Sequence, residues 1–298
     1  MNLPFIGAFL YLACGGAILL LGVLVLRASP GERLNRITAA MMFFGGLGPI
    51  VGGLGLLLPA YGKPAIEGGL LAEVLNGTWE FFFPTLLLFS LAFPRERPVL
   101  TRFGRFSWAL FAPHLFHLVL LIGLPQLALF ISRWRAGAAP NSGVIDESVR
   151  YAGALVEISV NLLSKFHTRL FSFVDIAFTI AAILILGQSL RVMRSPKIWR
   201  QLSVILFGLC TCLGLYALAV PLPTILSLAI PASIRVVLIS VAVLVGTVSI
   251  AFAIVSRSFL DVGSVVRRGI LLSGLTAILV FAYFITAREL DDFLAQIT

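Results

Sequence analysis

Six side chains in this sequence combine polar chemistry with apolar surroundings: Asn76, Trp79, Glu80, Arg169, Asp175 and Arg235. Two carboxylates, two guanidinium groups, an amide and an indole are the equipment of a small polar cavity. Such a cavity would hold a small ligand or a peptide signal. Glu80 is the most conspicuous member, because "NGTWEFFFPTLLLFSLAFPRERP" (76–98) puts aromatic residues on both sides of it. The group has two readings: a ligand-recognition site, or a structural role in which the acids pair with Arg169 or Arg235 to hold helices together or lie near enough to the surface to stay hydrated. His114 and His117, three apart, share one face of a helix. Two histidines fall short of the three or four ligands a metal site needs, so they are read as interhelical hydrogen-bonding groups. Cys14, Cys210 and Cys212 lie in apolar runs and have the spacing of neither a disulfide framework nor a zinc site. There is no GxSxG, HExxH, phosphate-binding glycine loop or kinase ATP motif. No catalytic residue, metal or cofactor is therefore expected.

The elements that position these groups follow from composition. Of 298 residues, 59% are hydrophobic and only 12% charged, about half the charge of a soluble domain. A protein core of this size cannot hide so much apolar surface, so the lipid bilayer must be its solvent. The expected fold is all-α: one polytopic transmembrane helix bundle spanning residues 1–298. Runs of about 20 apolar residues, the length of a helical crossing, fall near 5–26, 37–60, 74–94, 107–132, 168–190, 202–221, 232–256 and 269–287. The first is too long and lacks the basic start of a signal peptide, so it is read as a retained span. "PLPTILSLAIP" (221–231) divides the stretch 202–256 into two crossings. Gly48 and Gly52 have small-xxx-small spacing, which predicts close helix packing either within the chain or in a homodimer.

Charge fixes the orientation. The net charge of +9 does not point to nucleic acid, because the basic residues gather in alternate connections. These are Arg27, Arg33 and Arg36; Arg95, Arg97, Arg102 and Arg105; Arg191, Arg194, Lys197 and Arg200; and Arg257, Arg267 and Arg268. The positive-inside rule places all four loops in the cytoplasm and the N-terminus outside. Glu80 then lies about six residues into its span, roughly 9 Å deep, and Asp175 at a similar depth from the same side. An external segment, 133–167, carries Tyr151, Leu155, Ile158 and Leu162 at helical spacing. It reads as an interfacial amphipathic helix or a plain connector leading into the fifth span.

Two stretches carry a family resemblance. "WEFFFPTLLLFSLAFPRERP" has Trp79, Pro84 and a Leu/Phe run ending in Phe93-Pro94 before a basic loop. "FLDVGSVVRRGILLSGLTAILVFAY" pairs Leu260-Asp261 with Arg267-Arg268 ahead of another span. Both resemble the multi-span N-terminal input regions of bacterial signalling proteins: ComP-like and seven-span receptor histidine kinases and SpoIIE-type phosphatases. The resemblance implies a sensory module of the bacterial cytoplasmic (inner) membrane that passes an external or membrane-borne signal to a kinase or phosphatase domain, in cis or in trans. The sequence departs from those proteins in having no dimerisation helix, phosphoacceptor region, ATP-binding domain or phosphatase domain. It is therefore read as the N-terminal part of a longer protein. A secondary transporter using Glu80 or Asp175 for proton coupling is the second expectation, and a membrane-embedded lipid-modifying enzyme the third.

Overall fold

The computed structural model describes residues 3–60, 70–102, 106–137, 144–192 and 195–255. The described residues are helical throughout, joined by short turns, with no strand. In chain order they form α1 (Leu3–Ala28), α2 (Arg33–Ala60), α3 (Leu70–Trp79), α4 (Phe82–Ala92), α5 (Pro98–Arg102), α6 (Phe106–Ala109), α7 (Ala112–Gly137), α8 (Val144–Val192), α9 (Pro196–Ala219), α10 (Pro221–Leu226) and α11 (Ala232–Val255). Six helical stretches among the described residues are long and apolar enough to cross a membrane. The chain is built as a membrane protein. The eighth expected span, near 269–287, and the fourth basic loop lie outside the described residues.

Two expected elements take a different form. The third span is not one helix: it breaks at Glu80-Phe81 into α3 and α4, leaving a shorter apolar helix at Gly77–Ala92. Pro84 is the physical reason, because it has no N–H to give the Glu80 carbonyl. That carbonyl accepts instead from the Phe83 N–H (3.0 Å), and the Thr78 carbonyl from the Phe81 N–H (3.2 Å), so the chain tightens by a turn. Pro113 stands in the same relation to the break between α6 and α7, where the Phe111 N–H reaches the Trp108 carbonyl at 3.0 Å. The second difference is α8. The stretch expected as a separate amphipathic helix runs without a break into the fifth span, giving a single helix of 49 residues. Its first part packs through Val160 against Leu124 and Ile131 of α7, while Tyr151, Leu155, Ile158 and Leu162 stay exposed.

Six helices close a ring: α1 on α2, α2 on α4, α4 on α8, α8 on α9, α9 on α11, and α11 back on α1. Short α4 is the most buried wall of this ring, with Phe83 through Ser90 all inside. Its buried hydroxyls are satisfied locally, Thr85 donating to the Phe81 and Phe82 carbonyls and Ser90 to Leu87. The α1–α2 contact is the tightest. A Cβ at Gly46 would lie 2.9 Å from the Gly15 carbonyl oxygen, and one at Gly53 2.9 Å from that of Ala8. Close helix packing in lipid relies on such small residues. Gly48 and Gly52, singled out by their spacing, instead meet the rings of Trp79 and Tyr11. Their neighbours are internal.

Contacts gather the first three basic connections at one end of the bundle. Arg33 pairs with Glu96 at 3.1 Å and reaches Ser107 at 3.3 Å. Arg97 donates to the Ile185 carbonyl and to the Ser189 hydroxyl, both at 3.2 Å.

Candidate functional site

The break after α3 leaves Glu80 at a helix discontinuity, facing α7. One turn into α7 stands His117, and its Nδ1 lies 2.5 Å from the Glu80 Oε2. His114, just beyond Pro113 on the same face of α7, meets Asp175 of α8, Nε2 to Oδ1 at 3.0 Å. Two carboxylate–imidazole pairs therefore tie three membrane helices together. Both lie largely out of solvent: the side chains of His114 and Asp175 are 0% and 8% exposed, those of His117 and Glu80 5% and 16%. Each ring donates to an ionised acid or accepts from a protonated one, so each pair holds a proton on either partner.

A third imidazole joins them. His167 of α8 is buried, with its ring 5.3 Å from that of His117. Its Nδ1 donates to the Leu163 carbonyl at 3.0 Å, which sets the tautomer and leaves Nε2 facing inward. His167, Phe171 and Asp175 recur every four residues and so share one face of α8. Phe171 stacks on His117 at 4.0 Å. Aromatic rings close the other side: His114 stands against Phe83 and Phe178, and Tyr216 of α9 meets both Phe83 and Trp79. Nδ1 of His114 and Nε2 of His117 and of His167 are buried without a hydrogen-bond partner. Among the described residues no group of three or more His, Cys, Asp or Glu side chains is arranged to hold a metal ion.

The structure sorts the six expected site residues clearly. Glu80 and Asp175 come together in one cluster, with Trp79 at its aromatic edge. Arg169 points elsewhere, donating to the Ser227 hydroxyl at 2.8 Å, and Arg235 is exposed on α11. Neither arginine pairs with Glu80 or Asp175; the partners of the acids are histidines. Asn76 belongs to α3, and its side chain lies outside what the structure describes. His114 and His117 make the interhelical bonds expected of them. His167 and Tyr216 were not expected.

Fold and site together define a membrane-embedded helix bundle with a buried acid–imidazole cluster at a broken helix. Compared with known protein families, with curated proteins and with solved structures, the chain matches none.

Proposed function

We propose that this chain is the membrane-embedded input module of a bacterial signal-transduction protein, seated in the cytoplasmic membrane with eight spans and its N-terminus outside. The observation that carries the reading is the pair of carboxylate–imidazole contacts binding the α3–α4 break to α7 and α8. Buried acids and imidazoles within a membrane are costly unless paired, so a change of protonation or the approach of a polar ligand alters how well these helices pack. His117 stands between Glu80 and His167, His114 meets Asp175, and Tyr216 closes the cluster through Phe83 and Trp79, so one change of proton count is felt by three helices. From this cluster α4 and α8 run on to the basic end, where Arg97 ties the loop after α4 to Ser189. Two rigid elements thus join the site to the surface a cytoplasmic kinase or phosphatase, in cis or in trans, would read. A signal shifts such a device only through its unequal affinity for the two packings.

One observation favours a second reading, a proton-coupled secondary transporter: a helix interrupted at a buried acid is a transporter feature. Purified protein in sealed vesicles separates the two. Under an imposed pH gradient an input module passes no protons or solute, yet cysteines placed in the 93–97 loop change reactivity with the pH of the outer face. Flux abolished by Glu80→Gln would replace the signalling reading with transport; neither flux nor a change in reactivity would discard both.

A further inference from the structure

The ring of helices surrounds a cavity of about 300 Å³ to which none of the cluster's acids or imidazoles contributes. It extends from Tyr11, Gly52 and Val220 at one end to Thr38, Ile205 and Ser249 at the other. Between Thr38 and Gly52, α2 rises about 21 Å at 1.5 Å per residue, so the space is a narrow slot along the bundle axis. Its walls are hydrocarbon and aromatic. Of its hydroxyls, Tyr11 donates to the Val236 carbonyl and Thr38 to that of Leu34. Gly45, Gly48 and Gly52 line it from one face of α2, with the rings of Phe82, Trp79 and Tyr11 packed close against them.

We infer that this slot is a binding site for a single long hydrocarbon chain. Three features select that ligand class. The volume stands at the lower limit of ordinary ligand pockets, about 300 Å³, yet it is drawn out over most of a bilayer's hydrocarbon thickness, about 30 Å. That shape suits an extended alkyl chain and excludes a compact polar metabolite. Of the four lining hydroxyls, those of Tyr11 and Thr38 are bonded to backbone carbonyls; with only Tyr216 and Ser249 besides and no charged side chain in the wall, the slot offers little to a charged ligand, and desolvating one there would be unfavourable. The surrounding solvent supplies the ligand: a membrane presents alkyl chains at high local concentration. Trp79, Phe83 and Tyr216 are shared between slot and cluster, so an occupant presses on the residues flanking the α3–α4 break. The inference does not depend on the signalling reading, because a transporter with this bundle would hold the same chain.

The test is photolabelling of the full chain in nanodiscs by two probes, a phosphatidylethanolamine with a diazirine in one acyl chain and the matching free diazirine fatty acid. Labelled residues are mapped by mass spectrometry. Adducts on Met41, Cys212 or Ile239 are expected from one probe or both, and the better probe tells whether a headgroup is part of recognition. Ala242→Phe, which fills the slot, should cut these adducts by about tenfold or more, as expected for the loss of a few buried methylenes. Gly214→Leu adds apolar bulk on α9 where nothing lies within 4 Å and should leave them unchanged. Ile239→Phe serves as a second filling variant if Ala242→Phe does not fold. The inference is overturned if neither probe labels the slot while both label the outer face of α8, if a label appears equally in wild type and a folded filling variant, or if a photoreactive residue at position 48 cross-links only to residues 269–287.

Discussion

Replacing the His114–Asp175 pair by apolar residues, singly and together, gives a quantitative test of the cluster. His114 is fully buried, and its ring is held between Phe83 and Phe178. His114→Phe therefore keeps shape and aromatic contact but leaves Asp175 without its imidazole. Stranding one member of a buried ion pair costs about 3–5 kcal/mol, and a buried neutral donor or acceptor about 1–3 kcal/mol. Because Asp175 retains slight exposure, 8% at the side chain, the loss for His114→Phe should fall near the junction of those ranges, about 3 kcal/mol. Asp175→Leu strands the imidazole Nε2 on a ring whose Nδ1 already lacks a partner, for about 2 kcal/mol. The double variant removes both polar groups and should return to within about 1 kcal/mol of wild type. The coupling is then about 4 kcal/mol, well above the few tenths expected of independent sites. Denaturant unfolding in mixed micelles, followed by tryptophan fluorescence, measures all four proteins. A double variant that loses the sum of the single losses would refute the claim that the two groups act as a pair.

Other perturbations follow from the same contacts. Gly46→Leu drives a side chain into the Gly15 carbonyl and should abolish folded protein in size-exclusion profiles, whereas Gly16→Leu, with nothing within 4 Å, should be tolerated. Glu96→Gln breaks an ion pair whose members are 38% and 39% exposed and should cost no more than about 1 kcal/mol in the same unfolding assay. Arg97→Gln loses the hydrogen bonds to Ile185 and Ser189 and should cost more, about 1–3 kcal/mol. Pro84→Ala gives the Glu80 carbonyl an N–H partner at position 84. Hydrogen exchange should then show that amide protected, with faster exchange around His117 as Glu80 is drawn away from it.

Much of the fold was legible because lipid imposes simple rules. Apolar length located the six membrane-length helices among the described residues and the shorter apolar helix at Gly77–Ala92, and contacts from Arg33 and Arg97 do bring three basic loops to one end. The break at Glu80 was only half legible: Pro84 foretold a distortion, but a proline inside an apolar run bends one helix and divides another according to its packing. The site was legible in its acids and illegible in their partners. Depth alone suggested arginines, yet Arg169 and Arg235 lie on faces turned away from Glu80, and rotation about a helix axis is invisible to hydropathy. His167 was missed for a sharper reason. Ending the external segment at residue 167 separated that histidine from Phe171 and Asp175, although the four-residue spacing of the three was present in the sequence. Once α8 is a single helix, the spacing becomes one face.

The most direct test of the central claim is a distance at the basic end of the bundle. Spin labels at Val99 and Val192, both exposed on the surface, report the separation of α5 from the end of α8 by pulsed electron resonance in nanodiscs. Between about pH 8 and pH 5, the wild-type distribution should shift as the proton count of the acid–imidazole pairs changes, and that of the Glu80→Gln/Asp175→Asn variant should stay fixed. A wild-type distribution that does not move, or a variant that moves equally, would contradict the claim that the buried acid–imidazole cluster governs helix packing at the far end.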